Sequence, residues 1–234
     1  SDERYELWLF ATPALSTLHY NLQNGEAQLG FGFNWGFDFR WQPQSKSYWL
    51  SVGINASLYN ATYNPTATYS APEMIDPVYG YHYLTTTSFN YFVECQRLLS
   101  LGVPGSWLYE VEKWRLGFGV ELSALMSKSY WYEGMVSTSY RDCDLGIEYG
   151  SDLEAHGIGT QSFEQQKRSL DVKSVMLTPF VDVSYMITDR FSLGLFGGYE
   201  LLNLYRKDSY VSSELVQLSD GQRMYNGIGH SNQV

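Results

Sequence analysis

The sequence has no apolar run approaching 18 residues, so a membrane-spanning helix is excluded. Charge is scarce: 17% of residues are Asp, Glu, Lys or Arg, against roughly a quarter in soluble domains. The charge present is mostly acidic, with a net value of -10 and no basic stripe. Phosphate binding requires clustered Lys and Arg, so nucleic acid is not expected as a partner. Cysteine is nearly absent. Cys95 and Cys143 are too few for a disulfide framework and lack the spacing of metal ligands. One bridge between them in an oxidising compartment, or two unpaired thiols, are both open. The chain opens at Ser1 with no basic-then-apolar leader, so an export signal is expected to have been removed or never to have been there. No cofactor motif is recognisable.

What is abundant is aromatic: 17% of the 234 residues, with 20 Tyr and 7 Trp. The length suits a single domain. The stretch LGFGFNWGFDFRW, Leu29 to Trp41, shows how the aromatics are placed. Every odd position is large and apolar, and every even one is Gly, Asn, Asp or Arg. Seven segments share this period of two: Tyr5–Leu15, Gln28–Gln42, Tyr48–Tyr59, Leu98–Glu110, Trp114–Met126, Val175–Ile187 and Phe191–Tyr205. Each is long enough for a tilted strand to cross a bilayer, which takes roughly 9–11 residues.

The connections alternate in length. PQSK, VEK and TDR are short turns, while about 12 residues follow the first strand, and Asn60–Arg97, Ser127–Ser174 and Arg206 onward are long. Short turns on one rim and long loops on the other are characteristic of outer-membrane barrels. Aromatics cluster near the short turns at Trp41, Trp49, Trp107, Trp114 and Tyr185, as an interfacial girdle requires. A soluble β-sandwich or lipocalin-like barrel also alternates. It would, however, put the glycines on its solvent face, where they only weaken strands.

These segments resemble the small OmpA/OmpX-like outer-membrane barrels, particularly the Bacteroidetes type. The carrying residues are Leu29–Trp41, the hydrophobic–Pro strand around Val103–Pro104, Trp114–Met126 and the hairpin Val175–Leu201. Together they cover roughly Leu7 to Tyr205. The resemblance implies an antiparallel up-and-down transmembrane β-barrel, usually of eight strands, in the Gram-negative outer membrane. Its expected partners are outer-membrane lipid and proteins of an envelope complex. It brings no catalytic residues. One departure stands out: seven strands are clear where an even number is usual, and the chain ends MYNGIGHSNQV, which reads as loop. Either Ser209–Leu218 serves as the eighth strand, or the chain stops inside its last long loop, which is the favoured expectation.

Seven charges fall on the polar faces: Glu6, Asp38, Arg40, Arg115, Glu121, Asp182 and Glu200. Buried charges need partners, so an acid–Arg network plugging the lumen is expected. A narrow gated polar path is the functional alternative, although eight strands leave room for little beyond side chains. The histidines, His19, His82, His156 and His230, all fall in loops or at loop edges. None is placed beside a Ser on a shared strand face as a hydrolase needs. The acidic run Asp142, Asp144, Glu148, Asp152 and Glu154 lacks EF-hand spacing and reads as a solvated loop. The Tyr- and Thr-rich second loop suits glycans or a protein partner, or extension of the strands beyond the membrane. Three functions follow: a non-catalytic accessory or surface-binding barrel, a lipid-modifying barrel enzyme using a loop-edge His, and a soluble secreted glycan-binding β-protein. The first is expected.

Overall fold

The computed structural model describes residues 3–17, 25–44, 46–65, 68–70, 73–75, 80–149, 159–170, 172–202, 216–219 and 222–225. All regular structure in them is β. The strands are β1 (Arg4–Ser16), β2 (Gly25–Gln42), β3 (Tyr48–Pro65), β4 (Thr68–Ser70), β5 (Met74–Ile75), β6 (His82–Val111) and β7 (Trp114–Asp142). They continue with β8 (Glu148–Tyr149), β9 (Gly159–Ser169), β10 (Val175–Thr188), β11 (Phe191–Gly198), β12 (Val216–Ser219) and β13 (Gln222–Tyr225).

Seven of these form a strongly curled antiparallel half-barrel in the order β1-β2-β3-β6-β7-β10-β11. Each overlaps one of the seven segments whose period of two marks them in the sequence, although β6 and β7 run far beyond theirs and β11 ends at Gly198, short of the expected Tyr205. Each neighbour reverses direction, so β1 and β11, at the two edges, run the same way. Pairing them directly would be parallel. An antiparallel closure requires one more strand of opposite sense between them. Of the Ser209–Leu218 segment only Val216 onward lies within the described residues, and it pairs with β13 in a separate two-stranded sheet.

Alternation decides which face curls inward. On β7, Arg115, Gly117, Glu121 and Ser123 are buried while Trp114, Leu116, Phe118, Val120 and Leu122 are exposed. The same parity runs across the sheet, leaving Leu9, Phe31, Ile54, Val103, Val181 and Leu195 exposed on the convex face. Small residues allow the curl: a Cβ on Gly53 would lie 2.4 Å from Asp38 Oδ1. Pro104 sits mid-sheet, where it cannot donate to a ladder. The β3–β6 pairing skips there, from Val52↔Gly105 to Asn55↔Gly102, without changing register.

Two segments expected to be long loops are largely strand. The β6–β7 hairpin pairs from Val111↔Trp114 up to Tyr83↔Asp142. At about 3.3 Å per residue, the 30 residues of β6 extend roughly 100 Å. β9 and β10 run down the same edge of β7, the first against Ser129–Thr138 and the second against Trp114–Ala124. The sequence between them breaks the ladder. Leu170 and Val172 turn inward there, 1% and 0% exposed, into a cluster with Leu98, Leu125, Tyr130 and Met176. Lys128 bridges the break: its carbonyl accepts from Leu170 N at 3.1 Å and its Nζ donates to Val172 O at 2.5 Å. A second cluster, Phe89, Phe92, Val136 and Phe163, fills the extension above. The bulge at Asn90 shifts the register so that both Phe89 and Phe92 face inward.

The candidate disulfide is not formed. Cys95 pairs with Trp131 midway along the hairpin, whereas Cys143 donates its N–H to His82 O at the tip. Thirteen residues of extended β6 between positions 82 and 95 put the thiols roughly 40 Å apart. A bridge needs Cα atoms within about 7 Å. Both cysteines are free.

Candidate functional site

The concave face is where the charges gather, and β parity places each of them there. At the short-turn end Arg115 is the hub, with its side chain 4% exposed. Its Nη2 donates to Glu6 Oε1 at 3.3 Å. Nη1 lies 3.1 Å from Glu6 Oε2 and Nε lies 3.4 Å from Glu110 Oε2, ion-pair contacts off the hydrogen-bond axis. Two indoles frame the guanidinium, with ring centroids 5.3 Å away at Trp8 and 5.4 Å at Trp49. Each indole also donates to a carboxylate of the same network: Trp8 Nε1 to Glu6 at 2.6 Å, and Trp49 Nε1 to Glu110 at 2.8 Å. Arg40 stacks on Trp8 at 5.1 Å and contacts Asp38 at 3.3 Å. Asp182 lies within Coulombic reach of both arginines. Four carboxylates thus surround two guanidiniums, and the indoles between them occupy the space.

Glu121 does not join that plug. It lies six residues along β7 from Arg115, roughly 20 Å away, and accepts from Asn55 Nδ2 at 2.8 Å. Glu200 is separate again. It accepts the N–H groups of Leu177 and Leu202 at 2.9 and 2.8 Å and the Thr178 hydroxyl at 2.9 Å. It thereby ties the end of β11 to β10. Of the seven expected charges, then, Glu6, Asp38, Arg40, Arg115 and Asp182 come together, while Glu121 and Glu200 do not.

The girdle expectation divides by parity. Trp107, Trp114 and Tyr185 stand exposed on the convex face. Tyr185 packs edge-on against Trp114 at 5.0 Å, and Trp107 lies tilted against Tyr48 at 5.1 Å. Trp41 is half-buried. Trp49 corrects the expectation: it is 2% exposed and faces inward. The parity of β3, which turns Tyr48, Leu50 and Val52 outward, already dictates this. Glu110 and Trp8 escaped the sequence reading, and the same parity would have found them.

His82 begins β6 at the far tip, with Nδ1 2.9 Å from Glu73 Oε1, and is half exposed. His19, His156, His230, Asp152 and Glu154 lie outside the described residues. Asp142 is buried and Oδ1 accepts the N–H groups of Asp144 and Leu145, while Asp144 accepts from His82 N. These two carboxylates stabilise a turn, and Glu148 is solvated. Among the described residues no three His, Cys, Asp or Glu side chains converge as metal ligands would. Above the plug Glu94 is fully buried and accepts from Gln96 at 2.7 Å, a site hidden from the sequence because Asn60–Arg97 read as loop.

No family model, curated protein or solved structure matches the chain.

Proposed function

We propose that this chain is an outer-membrane β-barrel, plugged by side chains and non-catalytic, that serves as an accessory or surface-binding component of a Gram-negative envelope complex. The observation that carries the reading is the convex face. Leu7, Phe31, Ile54, Leu101, Phe118, Val181 and Leu195 are 47–81% exposed there, one or more from each of the seven strands. Soluble monomers rarely show an apolar patch larger than a few hundred Å², whereas lipid covers such a band at no cost.

The dimensions support it. With Met135 standing apart farther up the strand, the unbroken series of outward apolar residues on β7 runs from Trp114 to Met126. That is about 40 Å along the strand, or about 30 Å along a barrel axis at a tilt near 40°, the thickness of a hydrocarbon core. Just above this band Arg97 stacks on Trp131 at 5.3 Å, a pairing suited to a headgroup region. An eighth strand of opposite sense to β1 and β11 completes the barrel. The β6–β7–β9 extension then stands outside the membrane as the surface available to protein partners.

The test is detergent dependence. The chain is expected to require detergent for monodispersity and to migrate differently when heated and unheated in electrophoresis. A monodisperse monomer in plain buffer would overturn the reading.

A further inference from the structure

We propose that the Glu121–Asn55 layer of the concave face is a binding site for a small monovalent cation of sodium's size. Both residues are 3% exposed. Asn55 Nδ2 is committed to Glu121 Oε2 at 2.8 Å, which fixes the amide with its carbonyl oxygen free. The remaining oxygens, Glu121 Oε1 and Asn55 Oδ1, have no hydrogen-bond partner among the described residues. They converge. Both hang over Gly102, where a Cβ would lie 2.4 Å from Glu121 Oε1 and 2.5 Å from Asn55 Oδ1. Ser123, paired with Gly102 and two residues from Glu121, carries another buried oxygen with no hydrogen-bond partner among the described residues.

Charge sets the identity of the ligand. A buried carboxylate is costly unless something neutralises it. The guanidiniums lie toward the short-turn end, engaged by Glu6, Glu110 and Asp38. The other charged group acting on Glu121 is Glu200, also an acid. The layer therefore attracts a cation and provides oxygen ligands only. One carboxylate with neutral oxygens balances a single positive charge, while divalent ions favour sites with several carboxylates. This inference rests on the concave geometry and not on insertion into lipid.

The experiment uses the full chain in detergent micelles at constant ionic strength, with sodium chloride exchanged stepwise for choline chloride. The thermal midpoint is read by intrinsic tryptophan fluorescence. Wild type is expected to gain about 3 °C or more once sodium is well above its dissociation constant. Glu121→Gln, which keeps the shape and removes the charge, is expected to lose that dependence while still folding. The wild-type series decides the matter even if the variant fails to fold. An identical wild-type midpoint in sodium and choline would overturn the proposal, because the carboxyl would then be neutralised by a proton. An undiminished sodium response in Glu121→Gln, or a larger shift with calcium than with sodium, would overturn it as well. Detergent dependence can fail without affecting this result, so the two readings are separable.

Discussion

At the scale of single residues the plug is governed by Arg115, which contacts both Glu6 and Glu110. Removing it leaves two carboxylates, 30% and 33% exposed, without their cation. Arg115→Ala is therefore expected to cost about 2 kcal/mol, below the roughly 3–5 kcal/mol for a fully buried pair, because both acids keep partial contact with water. Chemical unfolding from micelles would measure it. Arg115→Lys should recover only part of the loss, since an ammonium cannot present the planar fork that meets two carboxylates and two indole faces. The cysteines offer a second test at this scale. Burial pushes the Cys95 thiol up, an effect only partly offset by a hydrogen bond with Thr62. Less thiolate means slower alkylation near neutral pH; the Cys143 thiol is raised too, so it is access that separates the two. Intact mass after alkylation without reductant is expected to show two modified thiols, with exposed Cys143 modified well before Cys95.

At the scale of elements, the β6–β7 hairpin turns on Glu112 and Lys113, with Glu112 at a φ of 55°. A left-handed conformation costs a non-glycine residue roughly 1–2 kcal/mol. The first position of such a tight hairpin turn favours Gly. Glu112→Gly is expected to stabilise the curled sheet by about 1 kcal/mol, read as a higher unfolding midpoint. Farther up the hairpin the clusters are independent of the plug. Phe92 is 6% exposed among Phe89, Val136 and Phe163, so Phe92→Ala should cost about 3 kcal/mol. The loss should be local: limited proteolysis is expected to clip the extension while the seven-strand core remains protected.

The seven strands were legible because one buried face and one exposed face impose a strict period of two. That period failed as a guide in two places. Residues 82–97 and 127–142 are strand, yet bulges at Asn90 and near Met126 shift the inward parity, and Ser, Thr and Tyr replace the aliphatic residues. Above the apolar band nothing requires one face to be greasy, so the signal fades although the pairing continues. Trp49 was misplaced for the opposite reason. Its proximity to a turn suggested an interface, but proximity does not override parity. The joining of Glu6 to Arg115 needs strands distant in sequence to curl toward each other, which no local pattern encodes. The separation of Glu121 from Arg115, six residues along one strand, was by contrast readable from the spacing alone.

At the scale of the whole molecule, two surfaces of opposite character are held back to back by one curled sheet. The convex side is aliphatic and aromatic, while the concave side mixes charges, hydroxyls and glycines with inward-facing indoles and buried apolar clusters. Such a molecule is expected to orient itself: lipid around the band, water at the plug end, and the long hairpin projecting from the other rim. The most direct test is a spin-label accessibility scan along Leu116–Met126 in lipid vesicles. The account predicts an alternation of period two, in which even positions collide freely with dissolved oxygen and are shielded from a water-soluble nickel reagent. Odd positions should be protected from both. Even positions open to the nickel reagent throughout would place the convex face in water and contradict the account.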